Sequence, residues 1–522
     1  MDRDPASSGL SPTPSYPAAA HPAAAYPAAA HPAAAYPVAA VRRAEAAVRV
    51  GLAPDALMQR AAAGLAAAVV GLLAGAGART YGSRVVLLVG RGDNGGDALW
   101  AGARLAARGA RVDAVRTADQ AHPAGVAALL AAADVVLDGI VGIGGRPGLS
   151  RVAATLVAAV PVGVPVVAVD LPSGIDPDTG ELPAEDGGAL GCVRADLTVT
   201  FGVPKPGLLL PPAAHLVGRL AVVDLGLDAA VLGDPAVRSL DAAAVATRWP
   251  WPGHQDDKYR RGVLGVVAGG AQYTGAAVLA VGAAVRAGAG MVRYLGPAAA
   301  QQRVRDRWPQ AVLDVDGRQR GRSGRVQAWV LGPGVDPAEA EQAGRVREAL
   351  DGDLPCVVDA GALDLLRPRP APTLLTPHAG ELARLLNRLT SADRPGALAV
   401  QRQDVERRPL VHARRAAELT GATVLLKGSV TVVAPADGGP VLCQGGPGTT
   451  AWLATAGSGD VLAGLAGVLL AAGVDPASAG AMAAVVHAAA GRRASVGGPV
   501  DAVRLLDALP GSIAALSDWG HG

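Results

Sequence analysis

Phenylalanine is nearly missing from this chain: Phe201 is the only one in 522 residues. Lysine is almost as scarce, at Lys205, Lys258 and Lys427 only, while arginine is plentiful. A chain that uses arginine wherever either cation serves keeps lysine where a compact ammonium group is needed. The three cysteines, Cys192, Cys356 and Cys443, lie far apart with no CxxC spacing. That excludes a disulfide framework and a cysteine-based zinc site, and fits a reducing, cytoplasmic setting. Net charge is only +2, so the concentrated basic face of a nucleic-acid-binding protein is not expected. The start of the chain has no basic region leading into an apolar core, so no secretory signal is expected. One uncharged run, residues 61–78, is made mostly of Ala and Gly. It reads as a buried helix of a soluble protein, not a membrane span.

What is present is long enough for two cores. Residues 1–40 repeat His-Pro-Ala-Ala-Ala-Tyr-Pro-Ala-Ala-Ala, and proline at that density with so little to bury reads as a disordered tail. Helices follow near Val41 and after Pro54. Apolar, β-branched runs at 84–89, 111–115, 135–137, 166–169 and 197–200 then alternate with helical stretches, one of them expected at 98–108. Such alternation predicts an α/β fold with a parallel sheet covered on both faces. The segment Trp249-Pro250-Trp251-Pro252-Gly253 breaks the pattern and reads as a linker over 246–258. A second α/β series occupies 259–522, with strands expected at 263–267, 326–331, 356–358, 373–375, 424–426 and 430–433.

The candidate chemistry lies at strand ends. Gly90-Arg91-Gly92-Asp93-Asn94-Gly95-Gly96-Asp97 satisfies GxGxxG, and Asp113 stands about 20 residues on, as a dinucleotide site requires. An ordinary Rossmann cofactor site therefore remains a rival reading. It leaves unexplained the polar surplus of Asp93, Asn94 and Asp97 in one turn. Asp138 and Asp170 open two more loops at strand ends. Together these loops could surround a monovalent cation with oxygen ligands and leave one carboxylate for acid–base work. Taken singly, each acid is equally a cap or turn former.

In the second half, Ala456-Gly457-Ser458-Gly459-Asp460 precedes a long apolar helical run. Free amides at a helix start favour phosphate oxygens, and the adjacent carboxylate can take a proton from an attacking hydroxyl. Lys427-Gly428-Ser429-Val430-Thr431 suits a nucleotide's phosphates or base edge. His378 either caps the helix it precedes or reaches the site.

From Val41 to about Leu225 the chain resembles the NAD(P)H-hydrate epimerases. The pieces that carry this are Met58-Gln59-Arg60-Ala61-Ala62, Asp93 to Asp97, Asp170-Leu171-Pro172-Ser173-Gly174 and Thr200-Phe201-Gly202-Val203-Pro204-Lys205-Pro206-Gly207. From Asp257 to about Leu509 it resembles the nucleotide-dependent NAD(P)H-hydrate dehydratases of the ribokinase-like superfamily. The resemblance implies a Rossmann-like αβα epimerase domain over 41–245 and a ribokinase-like αβα dehydratase domain over 259–522. It implies hydrate binding by Asp93, Asn94, Gly95, Gly96 and Asp97, by Gly142, Ile143, Gly144, Gly145, Arg146, Pro147 and Gly148, and by Asp170. It implies potassium ligands at Asn94, Asp138 and Ser173, with Asp170 as the proton-handling group. In the second domain it implies hydrate contacts at Ala276, Gly334, His378 and Asp460. It implies nucleotide contacts at Lys427, Gly428, Ser429, Val430, Thr431 and Gly459, with Asp460 catalytic. ADP is the implied co-substrate, accompanied by Mg2+, and a homo-oligomer is expected. Two departures stand out: Asp93 where the family usually carries Asn, and Gly361 where relatives commonly carry a second Asp. The competing function is a ribokinase-like kinase for a vitamin or sugar alcohol, fused to a non-catalytic nucleotide-binding module.

Overall fold

The computed structural model describes residues 34–117, 123–183, 191–313, 326–390, 398–445 and 449–517. Most of the expected tail lies outside that range. Its end does not: Ala34–Ala35 form strand β1, and a helix already runs over Val38–Arg49.

The first sheet contains β2 (Arg84–Val89), β3 (Arg111–Arg116), β4 (Val135–Gly139), β5 (Val166–Val169), β6 (Leu197–Phe201) and β7 (Arg219–Val223). All are parallel, in the order β3-β2-β4-β5-β6-β7. Residues 85–89 are buried without a polar interruption, as a strand covered on both faces requires. Among the described residues one helix is long and apolar enough to cross a membrane, Ala56–Gly75. It packs Leu57, Ala61, Leu65 and Val69 into the core of this sheet. The helix expected at 98–108 starts earlier, at Asp93, and ends at Ala106. The glycine-rich turn is therefore its first turn, with Gly95 N and Gly96 N both bonded to Gly92 O.

Among the described residues the second sheet has eleven strands and is built partly from the first half of the chain. After β8 (Val237–Arg238) come β9 (Val263–Val267), β10 (Met291–Leu295), β11 (Val312–Leu313), β12 (Ala328–Leu331), β13 (Cys356–Val358) and β14 (Thr373–Leu375). The last three are β15 (Thr423–Leu426), β16 (Val430–Ala434) and β17 (Val441–Gly445). The order is β1-β8-β17-β16-β15-β14-β13-β12-β9-β10-β11, parallel from β15 to β11, with β15, β16 and β17 pairing antiparallel. Strand β8 continues the edge beyond β17, and β1 covers β8. Such additions remove an exposed row of backbone donors and acceptors. Neither they nor β7, β10, β11 and β17 were visible as apolar runs.

The expected linker also belongs to the second core. Asp241 caps the helix Ala242–Arg248 by accepting from Ala244 N at 2.7 Å. Val245, Ala246 and Trp249 are buried among the residues of the second core. The two units share an apolar seam in which Leu209, Leu210 and Ala214 join Val430, Val432 and Cys443.

Candidate functional site

Both sheets place their polar residues where parallel strands end and the strand order reverses, the position at which open α/β sheets bind ligands. In the first sheet that point lies between β2 and β4. Gly90 follows β2, and a Cβ there would sit 1.8 Å from Ile140 O, so only glycine lets the two strand ends meet. Asn94 lies in the first helical turn, buried, with its Nδ2 lacking a hydrogen-bond partner. The 142–148 loop folds over it: a Cβ on Gly142 would lie 3.2 Å from Asn94 Oδ1. Gly148 N donates to Gly174 O at 2.7 Å, tying this loop to the one after β5.

Asp138, at the end of β4, is fully buried. It accepts from Ser173 Oγ at 2.6 Å and from Ser173 N at 2.8 Å. Burial pushes its carboxyl up to about 6, against the hydrogen bonds from Ser173 and from Ile140 N, which lower it. A buried carboxylate, a hydroxyl, the Val141 carbonyl 3.2 Å from that hydroxyl and an unpartnered amide fit a hard monovalent cation. The amide of Asn94 can be turned over to present its oxygen.

Asp170 directly follows β5 with φ 66, a left-handed conformation unusual for a non-glycine residue. The surroundings hold it there. Its Oδ1 accepts from Lys205 Nζ at 2.5 Å, from Thr200 Oγ1 at 3.0 Å and from Phe201 N at 3.1 Å. Lys205 is 1% exposed. Asp97 faces the same space. Burial first, then the charges of Asp170, Asp93 and Glu45, push its carboxyl up to about 7.

In the second sheet the strand order reverses at β9, flanked by β10 and β12. Gly269 N donates to Pro333 O at 2.7 Å, and a Cβ on Gly334 would lie 2.7 Å from Ala276 Cβ. Asp359 follows β13, Thr376 follows β14 and Lys427 follows β15. Lys427 Nζ donates to Asp359 Oδ1 at 2.8 Å and lies 3.7 Å from Glu381 Oε2. Thr376 Oγ1 donates to Asp359 at 2.9 Å. Burial opposes the Lys427 charge, but Asp359 and Glu381 outweigh it and raise its pKa. His378 both caps and lies beside the site. Its Nδ1 accepts from Gly380 N at 3.1 Å, and its Nε2 lies 3.4 Å from Glu381 Oε1.

The helix Ser458–Ala471 begins at left-handed Gly457, φ 89. A Cβ there would meet Leu279 Cδ1 at 2.6 Å, so conformation and space both demand glycine. Asp460 sits in the first turn. Burial, reinforced by the Asp359 charge and offset by Lys427, raises its carboxyl to about 7. Gly459 faces the lysine, a Cβ there lying 3.4 Å from Lys427 Nζ. Lys427, Gly459 and Asp460 thus share one cleft.

Family models match stretches in both halves of the chain. Residues 264–510 match the NAD(P)H-hydrate dehydratase family, and residues 54–129 and 117–207 match the YjeF-related protein N-terminus. The chain is 46% identical over 461 residues to the bifunctional NAD(P)H-hydrate repair enzyme Nnr of Mycobacterium tuberculosis, covering 84% of this chain and 90% of that one.

The chain belongs to the bifunctional NAD(P)H-hydrate repair enzymes.

The Mycobacterium leprae member of that family is 45% identical over 505 residues, covering 91% of this chain and 98% of its own. Among solved structures, the ADP/ATP-dependent NAD(P)H-hydrate dehydratase of Bacillus subtilis, co-crystallized with ATP/Mg2+, is similar to 53% of this chain. It is covered over 97% of its length, at 26% identity and a TM-score of 0.46.

Several site residues were not singled out in the sequence. Asp359 and Glu381 grip Lys427, yet each reads as an ordinary strand-end or helix-start acid. Glu45 and Arg42 lie on the first helix. Glu45 is close enough to Lys205 and Asp170 to feel both charges, and burial raises its pKa. Arg42 Nη2 lies 3.5 Å from where a Cβ on Gly144 would stand. His487, buried and held neutral with its pKa lowered to about 4 by that burial, bonds Ser458 O at 2.9 Å and steadies the helix start. The scarcity of lysine was the usable signal: Lys205 and Lys427 each neutralise a site carboxylate. Lys258, 5.3 Å from the Tyr259 ring centroid, does not. The Gly361 departure has a packing reason. A Cβ there would lie 2.0 Å from Val335 O.

Proposed function

We propose that the first unit interconverts the R and S hydrates of NADH and NADPH, and that the second dehydrates the S hydrate with ADP, releasing AMP and phosphate. The observation that carries this reading is Asp460. Its carboxyl is poised near neutrality, at the start of a helix and in the same cleft as Lys427.

The hydrate carries a hydroxyl on a carbon next to the ring nitrogen. In the second unit Asp460 takes the hydroxyl proton as that oxygen attacks the terminal phosphoryl group of ADP. The amides of Gly457 and Gly459 would face the developing charge, and Lys427 would hold the phosphates. Phosphate then leaves, helped by the ring nitrogen's lone pair, and loss of a proton from the adjacent ring carbon restores the double bond of NAD(P)H. Ala276, Gly334 and His378 would border the hydrate, and residues 427–431 the nucleotide. Mg2+ is expected with the nucleotide because it offsets phosphate charge.

In the first unit the same lone pair assists loss of the hydroxyl from one face, and water returns to the other. That exchange needs an acid and a base. Asp97, pushed up to about 7, is the acid that protonates the departing oxygen. Asp170, gripped by Lys205, is the base that takes a proton from the incoming water. The 93–97 and 142–148 segments would hold the hydrate. Asn94, Asp138 and Ser173 would hold potassium, whose charge offsets Asp138 and orders the loops.

The test is racemic hydrate with ADP, followed by the absorbance of reduced nicotinamide. Full recovery with release of inorganic phosphate is expected. Recovery of only the S half would remove the epimerase assignment. A stable phosphorylated product would replace the dehydratase with a kinase.

A further inference from the structure

We propose that His215, carried by the first unit, is a positioning residue of the nucleotide site in the second. This rests on the reading that Lys427 to Thr431 hold the nucleotide. His215 Nε2 lies 2.7 Å from Ser429 Oγ, across the seam between the units. Ser429 stands in the turn between β15 and β16, two residues after the lysine that binds Asp359. Both His215 and Ser429 are exposed, so the pair forms a polar rim that a ligand can reach.

The contact is built in. His215 ends the turn Ala213–His215, in which Ala213 and Ala214 are buried. Leu209, Leu210 and Ala214 are packed in one core with Val430, Val432 and Cys443 of the neighbouring strands. A second tie lies along the same seam: Arg408 Nε pairs with Glu181 Oε1 at 2.8 Å. Behind the ring, Arg194 donates to His215 O at 3.2 Å. The imidazole is therefore held against Ser429 by packing on its own side and by an ion pair elsewhere on the seam.

The chemistry follows from the inventory of donors. A serine hydroxyl rotates until a partner fixes it. Partial desolvation of the ring against the seam, then the Arg194 charge, lower the pKa of His215, favouring the neutral ring, which has one N–H and one bare nitrogen. With the proton on Nε2, His215 donates to Ser429 Oγ. The serine's own proton is then free to point at a phosphate oxygen, an acceptor that offers no proton of its own. The first unit thereby sets the orientation of a donor in the second unit's nucleotide site.

Calorimetric titration of the full-length protein with ADP tests this. His215→Ala is expected to weaken ADP binding about 3- to 10-fold, the effect of one lost hydrogen bond. His215→Gln, which keeps an N–H donor, recovers most of that loss. Ser429→Ala weakens binding to a similar extent, and the double variant His215→Ala/Ser429→Ala is no weaker than Ser429→Ala alone, because both act through one hydroxyl. Unchanged affinity in His215→Ala, or multiplicative losses in the double variant, would overturn the inference. Lys427→Met separates the two layers of the argument. If it leaves ADP affinity intact, the nucleotide reading fails. If it weakens binding while His215→Ala does not, only the His215 assignment fails.

Discussion

The two strand-end sites are assembled from the same parts and differ in access. Each has one lysine gripping one carboxylate, Lys205 on Asp170 at 2.5 Å and Lys427 on Asp359 at 2.8 Å. Each has a second carboxyl raised to about 7, Asp97 in one and Asp460 in the other. In each, a non-glycine residue at or next to the gripped carboxylate takes a left-handed backbone, Asp170 and Ala360. But Lys205 is 1% exposed and Lys427 is 21% exposed. The first lysine is sealed and acts as a fixed support for Asp170. The second lysine is shared between Asp359 and Glu381 and remains reachable, as a cation that must turn to a phosphate has to be. A lysine in such a pair can thus serve as a permanent support or as a waiting ligand, and its exposure separates the two.

The comparison can be broken most sharply at the poised carboxyls. Asp460→Asn should lower dehydration of S hydrate about 10³-fold, within the range for a lost general base, and leave epimerisation untouched. Retention of a tenth of the rate would remove Asp460 from the chemistry. Next come the lysines. Lys205→Met strands Asp170 in a dry site and should destabilise the first unit by about 3–5 kcal/mol in urea unfolding. Lys427→Met should cost less stability, because the ammonium it removes is already partly in water, and should in addition weaken ADP binding. Equal stability losses would refute the division into sealed and open lysines.

The third test asks whether the first site really divides its roles. Asp97→Asn and Asp170→Asn should each slow epimerisation about 10²-fold while dehydration of S hydrate continues. If Asp97→Asn keeps full activity, the acid lies elsewhere, and Glu45 becomes the group to replace. Gly361→Asp should cost about 1–3 kcal/mol, read as a lower Tm, because the new Cβ meets Val335 O. A wild-type Tm would show that the segment shifts freely.

The smallest effect is the pH profile of dehydration. Asp460 must be ionised to act, so the rate should rise about tenfold between pH 6 and pH 8, centred near 7. The stability linked to the same group runs the other way. Its folded pKa lies above the usual 3.8, so the folded state binds more protons between about pH 4 and pH 7, and stability is lost as pH rises through that window. Asp460→Asn should abolish the rate step and raise Tm at pH 8. A variant that loses the rate but keeps the stability slope would assign the raised pKa to another carboxyl.

Much of this was legible in the residues, for definite reasons. Continuous apolar strands such as 85–89 announce burial on both faces. Glycines in runs, such as Gly90 and Gly457, announce close approach. Rare residues point to needs that a common residue could not meet, as Lys205 and Lys427 did. The chain could not reveal partners that meet only through the fold. Asp359 and Lys427 are bonded across 68 positions and Asp170 and Lys205 across 35. His215 and Ser429 are 214 positions apart. Nor could it reveal that β1 and β8 extend the other unit's sheet, because two-residue strands carry no periodicity.

Alternation of apolar runs with helical stretches, and polar residues at the ends of those runs, was determined by the sequence alone, because burial pattern and turn chemistry are local properties. Which carboxylate is gripped and which is left poised was decided only by the tertiary structure. A pKa depends on the solvent removed and the charges brought near, and both are set by residues distant in the chain.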